Sequence, residues 1–224
     1  MAHANSVTSI TLTTSDSKRI VGDYYHGSTT AGIVLLHMMP ATRESWDEVA
    51  LKLQDHGFHV LTIDLRGHGE SEGGPDGFHS FTNTEHQAAI HDAEAAAAYV
   101  QAQGATYLHV MGASIGANLA LQMVANSADV ATAVCISPGI DYYGVRAIPA
   151  AGKVREEQSI MLLAARDDTR MGEEQPDTIL KHIADASHGR AQVEIFDEGG
   201  HGTDILMQWP DYIDTIIDWM SAHA

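Results

Sequence analysis

The sequence predicts a doubly wound α/β protein whose mostly parallel, eight-stranded sheet carries an antiparallel hairpin at its N-terminal end. Continuous apolar runs such as Ile33–Leu36 are typical of strands that are buried on both faces of a parallel sheet. Helical segments alternate with these runs, as the crossover connections between parallel strands require. Before the first of these runs, apolar and polar side chains instead alternate around the turn Ser15–Ser17, which predicts a hairpin.

The eight strands follow in order along the chain. The hairpin accounts for residues 7–13 and 19–25, where apolar side chains alternate with polar ones. The other six strands are short apolar runs at residues 33–36, 58–63, 108–111, 131–136, 160–164 and 193–196.

Helices are predicted between the strands, at residues 44–56, 85–103, 116–126, 174–187 and 204–222. Gly57 and Gly104 follow the first two, as glycine commonly follows a helix C-terminus. Residues 67–84 contain glycine and proline and are expected to form a loop. Because no repeat, linker or change in composition interrupts the chain, residues 1–224 are predicted to form one domain.

The charge balance excludes several classes of partner. With 12 Lys and Arg against 30 Asp and Glu, the net charge is −18, which disfavours nucleic acid and anionic membrane surfaces. Cys135 is the one cysteine, so no intrachain disulfide is possible and no oxidising compartment is indicated. The sequence shows no signal peptide and no apolar run of about 18 residues, so a cytoplasmic location is expected. A monomer and a homodimer both remain open.

The segment Gly112–Gly116 predicts a nucleophile. Its pattern is GxSxG, and it lies between a predicted strand and a predicted helix, which is the context this motif requires. The flanking glycines allow a sharp turn that exposes the Ser114 hydroxyl, although such a pattern also occurs in ordinary glycine-rich turns.

A serine hydroxyl needs a base, and the base needs an orienting acid. His201 lies in a glycine-flanked loop after the last predicted strand, where a histidine can reach over the edge of the sheet. Asp167 and Asp168 follow the strand at 160–164, and the position alone fits either carboxylate. No HExxH motif or Cys/His cluster indicates a metal site.

Together these segments resemble the α/β-hydrolase superfamily over essentially the whole chain, and in particular its small serine esterases. The layout is also similar to the dienelactone-hydrolase-like branch, whose nucleophile is a cysteine where this chain has Ser114. The matching segments are Leu35–Pro40 (the oxyanion strand), Asp64–Ser71 (the DxRGHGxS turn), Gly112–Gly116, Ala165–Asp168 (GxxD with Ala for Gly) and Gly200–Gly202 (the histidine loop).

The resemblance implies a catalytic triad and an oxyanion hole. Its register selects Asp168 as the acid beside Ser114 and His201. The backbone N–H groups of Ile115 and Met39 are implied as oxyanion donors, and no cofactor is implied. Met38 stands where the family usually has glycine, and a positive φ would make methionine costly there. We expect His37 to brace the oxyanion loop, and Asp64, Arg66 and His68 to hold a turn together.

The interval from Pro138 to Ser159 is too short for a large lid, so the resemblance implies a minimal cap or none. An open site, covered by Tyr142 and Tyr143 and lined by Met38 and Met39, favours a small-molecule ester with a small to medium acyl group. The predicted activity is therefore carboxylic ester hydrolysis through an acyl-enzyme. Thioesters, lactones, amides and peptides remain alternatives, as does a non-catalytic binding protein on the same fold.

Overall fold

A mostly parallel, eight-stranded sheet forms the centre of the protein, as the sequence predicts. The computed structural model describes residues 6–223. The strands are β1 Val7–Thr13, β2 Arg19–Tyr25, β3 Ala31–Leu36, β4 His59–Ile63, β5 Tyr107–Ala113, β6 Val130–Ile136, β7 Asp141–Tyr142, β8 Val145–Arg146, β9 Ser159–Ala165 and β10 Arg190–Phe196. The main sheet has the order β1-β2-β4-β3-β5-β6-β9-β10, and β7 pairs with β8 separately. β1 and β4 each pair antiparallel with β2, and the other pairs in the main sheet are parallel.

Helices cover both faces of this sheet. They are α1 Asp47–Asp55, α2 Asn83–Gln87, α3 Ile90–Ala102, α4 Ile115–Asn126, α5 Ala147–Ala151, α6 Pro176–Ala186, α7 Asp204–Gln208 and α8 Tyr212–Ala222. One face packs on apolar side chains of α3, α4 and α6, such as Leu119 and Leu180. The opposite face packs on α1, α7 and α8, including Leu53 and Ile216. Burial on both sides explains the continuous apolar runs of the parallel strands.

Two of the predicted helices are interrupted. The segment 204–222 divides into α7 and α8 because Pro210 lacks an N–H and disfavours helical geometry at the residue before it. The segment 85–103 divides into α2 and α3, between which hydrogen bonds tighten to the i→i+3 pattern. α2 also begins two residues early, because Thr82 and Glu85 form a capping box at its N-terminus.

The connection between β6 and β9 is short. It contains the β7–β8 hairpin and the five-residue α5, and no larger insertion occurs there in the described chain. The carboxyl ends of the parallel strands meet at one edge of the sheet, where ligands of open α/β sheets bind. Among residues 6–223, none of the helices has the length and apolar character needed to cross a membrane.

Candidate active site

Ser114 lies at the sharp turn between β5 and α4. Its backbone angles are φ 56° and ψ −120°, a conformation that non-glycine residues rarely adopt. The flanking glycines are required by close approach of the backbone. A Cβ on Gly112 would collide with the Gly116 carbonyl, and a Cβ on Gly116 would collide with the Leu36 carbonyl. The turn therefore fixes the Ser114 side chain at the carboxyl edge of the sheet.

Asp168 and His201 form a buried, hydrogen-bonded pair at the same edge. The Nδ1–H of His201 donates to the Asp168 carboxylate, whose two oxygens lie 2.8 and 2.9 Å away. Burial opposes the charge on Asp168, but hydrogen bonds from His201 and from the backbone N–H of Arg170 hold the pKa of Asp168 below its usual value. This arrangement leaves Nε2 of His201 as the acceptor nitrogen.

Asp167 has a different task from its neighbour. Its Oδ1 accepts the backbone N–H groups of Gly199 and Gly200 at 3.1 and 3.0 Å. The carboxylate therefore holds the loop that carries His201, while Asp168 contacts the imidazole itself. The geometry separates two adjacent carboxylates that position alone left equivalent.

Ser137, directly after β6, joins the Asp168 carboxylate to the loop that carries His201. Its hydroxyl accepts the N–H of Gly202 at 2.9 Å and hydrogen-bonds the carboxylate of Asp168. The residue is fully buried and has a φ of 52°. Sequence reasoning missed this residue, because one serine at a strand end has no distinguishing pattern.

The structure brings Ser114 and His201 into one cavity, of about 620 Å³, which we call the Ser114 cavity. No hydrogen bond links the Ser114 side chain to the imidazole within the described part of the chain. The hydroxyl of Tyr142 interacts with Ser114 and donates to the Ser137 carbonyl at 3.2 Å. Hydrogen bonds between a nucleophile and its base are often long in an empty site and tighten when substrate binds.

Two backbone donors near Ser114 have no partner. In residues 6–223, neither the N–H of Met39 nor the N–H of Ile115 donates a hydrogen bond within the protein. Both residues also line a small void that shares Met39, Phe81 and His86 with the Ser114 cavity. Nη2 of Arg170 donates to the Met39 carbonyl at 3.2 Å and so ties the loop after β9 to the loop after β3.

Met38 does not require a positive φ. Within the described residues, only Ser17, Ser114, Ser137 and Tyr143 have positive φ among the non-glycine residues. The usual glycine of the family is therefore not needed for backbone geometry at this position. The Met38 side chain instead packs beside Gly202, where an added Cβ would approach the sulfur to 2.6 Å.

His37 is a buried brace beneath this loop. Its Nδ1–H donates to the Met38 carbonyl at 2.9 Å, and its Nε2 accepts the N–H of Leu65 at 3.0 Å. Burial, with the nearby His68, lowers the pKa of His37 to about 4, so the ring is neutral at pH 7. The loop that presents Met39 is thus anchored to the chain that follows β4.

The turn Asp64–Ser71 is held by its own side chains. The carboxylate of Asp64 accepts the backbone N–H groups of Arg43 and Glu70 at 2.8 and 2.9 Å, and Ser71 donates to the Asp64 carbonyl at 2.6 Å. Arg66 pairs with the buried Asp92 at 2.8 Å. These contacts occupy the charged groups, and the described residues contain no cluster of three side chains suited to a metal ion.

Several residues of the Ser114 cavity were not expected from the sequence. The predicted Met39, Tyr142 and Tyr143 line it, together with Phe78, His79, Phe81, His86 and Arg170. The added residues come from the glycine- and proline-containing segment after β4, from α2 and from the loop after β9. The available signal in the sequence was the presence of two phenylalanines, Phe78 and Phe81, close together in an otherwise polar loop.

Comparison with known proteins places this fold. A family model described as the alpha/beta hydrolase fold matches residues 33–164. The esterase Pf2001 of Pyrococcus furiosus superposes with a TM-score of 0.79 at 16% identity, covering 98% of this chain and 93% of that chain. The acetyl xylan esterase from Paenibacillus sp. R4 has a TM-score of 0.79 at 15% identity, with coverages of 100% and 85%.

The esterase EaEST from Exiguobacterium antarcticum has a TM-score of 0.72 at 15% identity, with coverages of 96% of this chain and 100% of that chain. At such identities the likeness is one of fold. No curated protein sequence matches the chain.

Proposed function

The chain belongs to the α/β-hydrolase fold family, and on that premise we propose that it is a serine hydrolase that cleaves carboxylic esters of small to medium acyl groups through an acyl-enzyme. The observation that carries this proposal is the buried Asp168–His201 pair, which lies at the same cavity as Ser114. A histidine held by a buried carboxylate is the arrangement that activates a serine. The three residues also follow the order Ser, acid, His along the chain.

In the first half of the reaction, Oγ of Ser114 attacks the ester carbonyl carbon. Its proton passes to Nε2 of His201, and the carbonyl electron pair moves onto oxygen. The unpartnered N–H groups of Met39 and Ile115 stabilise that oxyanion. The tetrahedral intermediate then expels the alcohol, which takes the proton from His201, and leaves an acyl group on Ser114.

In the second half, water replaces the alcohol. His201 accepts a proton from water as its oxygen attacks the acyl carbon, and the oxyanion forms again at the same two donors. The bond to Oγ of Ser114 breaks, the serine regains its proton from His201, and the carboxylic acid leaves. Asp168 stays ionised and stabilises the imidazolium in both halves.

The decisive experiment measures an acyl-enzyme and its dependence on Ser114. A fluorophosphonate probe should label the wild-type protein at Ser114, and a short-chain nitrophenyl ester should be turned over. Ser114→Ala should abolish the labelling and lower kcat by on the order of 10⁴- to 10⁶-fold, as for other serine triads. Retention of either property by the variant would refute the assignment. The variant Ser9→Ala is the matched control, because Ser9 is exposed on the edge strand β1, and it should behave as wild type.

A further inference from the structure

One wall of the Ser114 cavity is built from rings. The side chains that form it are Phe78, His79, Phe81, His86, Tyr142 and Tyr143. They come from three separate parts of the chain: the segment after β4, the helix α2 and the β7–β8 hairpin. Three elements that each deliver rings to one wall indicate a recognition surface for a substrate group.

Five of these rings contact another ring of the wall, and the sixth, Tyr142, is held by its hydroxyl at the Ser137 carbonyl. Phe78 and His79 lie with their centroids 4.1 Å apart, and His86 stacks on Tyr143 at 4.5 Å. Phe81 meets the edge of His86 at 5.5 Å. Mutual packing orders the rings before any ligand arrives. Binding of a flat ligand group against them therefore costs little further side-chain entropy.

Two titratable rings of the wall, His86 and Tyr142, are uncharged at pH 7, because burial lowers the pKa of His86 and raises that of the Tyr142 phenol. The two charged residues of the cavity have other partners, since Asp141 pairs with Arg146 at 3.1 Å and Arg170 donates to the Met39 carbonyl. Uncharged rings recognise a ligand by stacking and by edge contacts rather than by charge.

We propose that the substrate carries an aromatic ring close to the scissile ester bond, and that this ring packs against Phe81 and Tyr143 where they line the cavity. The proposal rests on the proposed ester hydrolase function and names its substrate class. The cavity of about 620 Å³ lies within the range of pockets that hold drug-sized molecules and is far larger than an acetyl group requires. The ring belongs to the acyl part or to the alcohol part of the ester, and substrates matched in each part distinguish the two.

The test uses pairs of esters that differ only in aromaticity. In the acyl arm, ethyl phenylacetate is compared with ethyl cyclohexylacetate. In the alcohol arm, benzyl acetate is compared with cyclohexylmethyl acetate. In one arm we expect kcat/KM to favour the aromatic member by about 10-fold, as one or two ring–ring contacts provide. A ratio near 1 in both arms would overturn the proposal while leaving ester hydrolysis intact.

Variants connect the preference to the wall. Tyr143→Leu and Phe81→Leu should bring the ratio of the favoured arm towards 1, and Tyr143 is half-exposed, so its replacement leaves the core unchanged. Tyr107→Leu is the matched control, because Tyr107 is equally exposed but stands at the amino end of β5, away from the cavity. Its ratio should equal that of the wild type.

A binding measurement keeps the proposal separate from catalysis. The Ser114→Ala protein, titrated calorimetrically with the same four esters, should bind the aromatic member of one pair more tightly by about the same factor of 10. Equal affinities within both pairs would refute the aromatic site even if the wild type hydrolyses no ester at all. Absence of ester turnover alongside aromatic-selective binding would refute the proposed function alone.

Discussion

On one side of the Ser114 cavity, Asp168 and His201 are fixed by charged hydrogen bonds around a fully buried carboxylate. On the other side, Phe81 and Tyr143 are held by ring packing close to the surface. Asp168 and His201 lie in the turns that follow β9 and β10, whereas Phe81 and Tyr143 lie in the segment after β4 and in the β7–β8 hairpin. In the proposed function, the chemistry therefore depends on groups that hydrogen bonds hold next to strand ends, whereas the proposed selection of a substrate depends on segments that vary more easily.

The largest difference in kcat is expected between variants of the two adjacent carboxylates, Asp167 and Asp168. Asp168→Asn should lower kcat by about 10⁴-fold, because a neutral amide no longer holds His201 as the Nδ1–H tautomer or stabilises its charged form. Asp167→Asn is the matched control. Its amide oxygen still accepts the N–H groups of Gly199 and Gly200, so steady-state ester kinetics should stay close to wild type. Equal losses in the two variants would contradict the division of roles.

The same contrast explains what the sequence could predict. The strand ends were accessible, because Ser114, the pair Asp167–Asp168 and His201 follow apolar runs, and the family resemblance chose between the two carboxylates. The packing of Phe78 and Phe81 into the cavity was not, since it depends on how a loop folds over the sheet and no periodicity encodes that. Ser137 was missed for another reason: its importance lies in contacts to Gly202 and Asp168 that are far away in the sequence.

Two buried histidines, His37 and His109, should make the folded protein less stable in acid. His37, beneath the oxyanion loop, and His109, in the sheet, have pKa values lowered to about 4 by burial. Unfolded histidine titrates near 6.5, so the unfolded chain takes up protons first, and stability that is complete above pH 6.5 is lost as pH falls towards 4.

Each histidine should cost on the order of 3 kcal/mol once pH reaches about 4. Urea unfolding at pH 7.5, 6.5, 5.5 and 4.5 measures this decline. His109→Gln should reduce the slope while leaving ester turnover at pH 7.5 intact, because that side chain contacts Thr132 within the sheet. A free energy of unfolding that stays constant between pH 6.5 and 4.5 would show that these rings are protonated in the folded protein as they are in the unfolded chain.

The variant Ser137→Ala tests how strongly Asp168 and the loop that carries His201 depend on the hydroxyl between them. Ser137→Ala removes the acceptor of the Gly202 N–H and the hydroxyl that contacts Asp168. We expect kcat/KM to fall by about 10-fold, since a hydrogen bond of this kind contributes roughly 1 to 1.5 kcal/mol. Because that hydroxyl lowers the pKa of Asp168, the pKa of this carboxyl should rise in the variant, which an NMR titration of its carboxyl carbon measures. An unchanged pKa of Asp168 together with lower activity would point to a merely structural role.

The smallest effect is expected at Arg170, where the two sides meet. Its guanidinium holds the Met39 carbonyl, so Arg170→Gln should lower kcat by about threefold and leave KM unchanged, because the oxyanion donors act in the transition state. Arg166→Gln is the matched control, since Arg166 is an exposed arginine of the same turn that pairs with Asp177 at 3.2 Å. Steady-state kinetics with a neutral ester separate kcat from KM. A rise in KM for anionic esters alone would instead make Arg170 part of the recognition surface, and charge would then join ring packing in selecting the substrate.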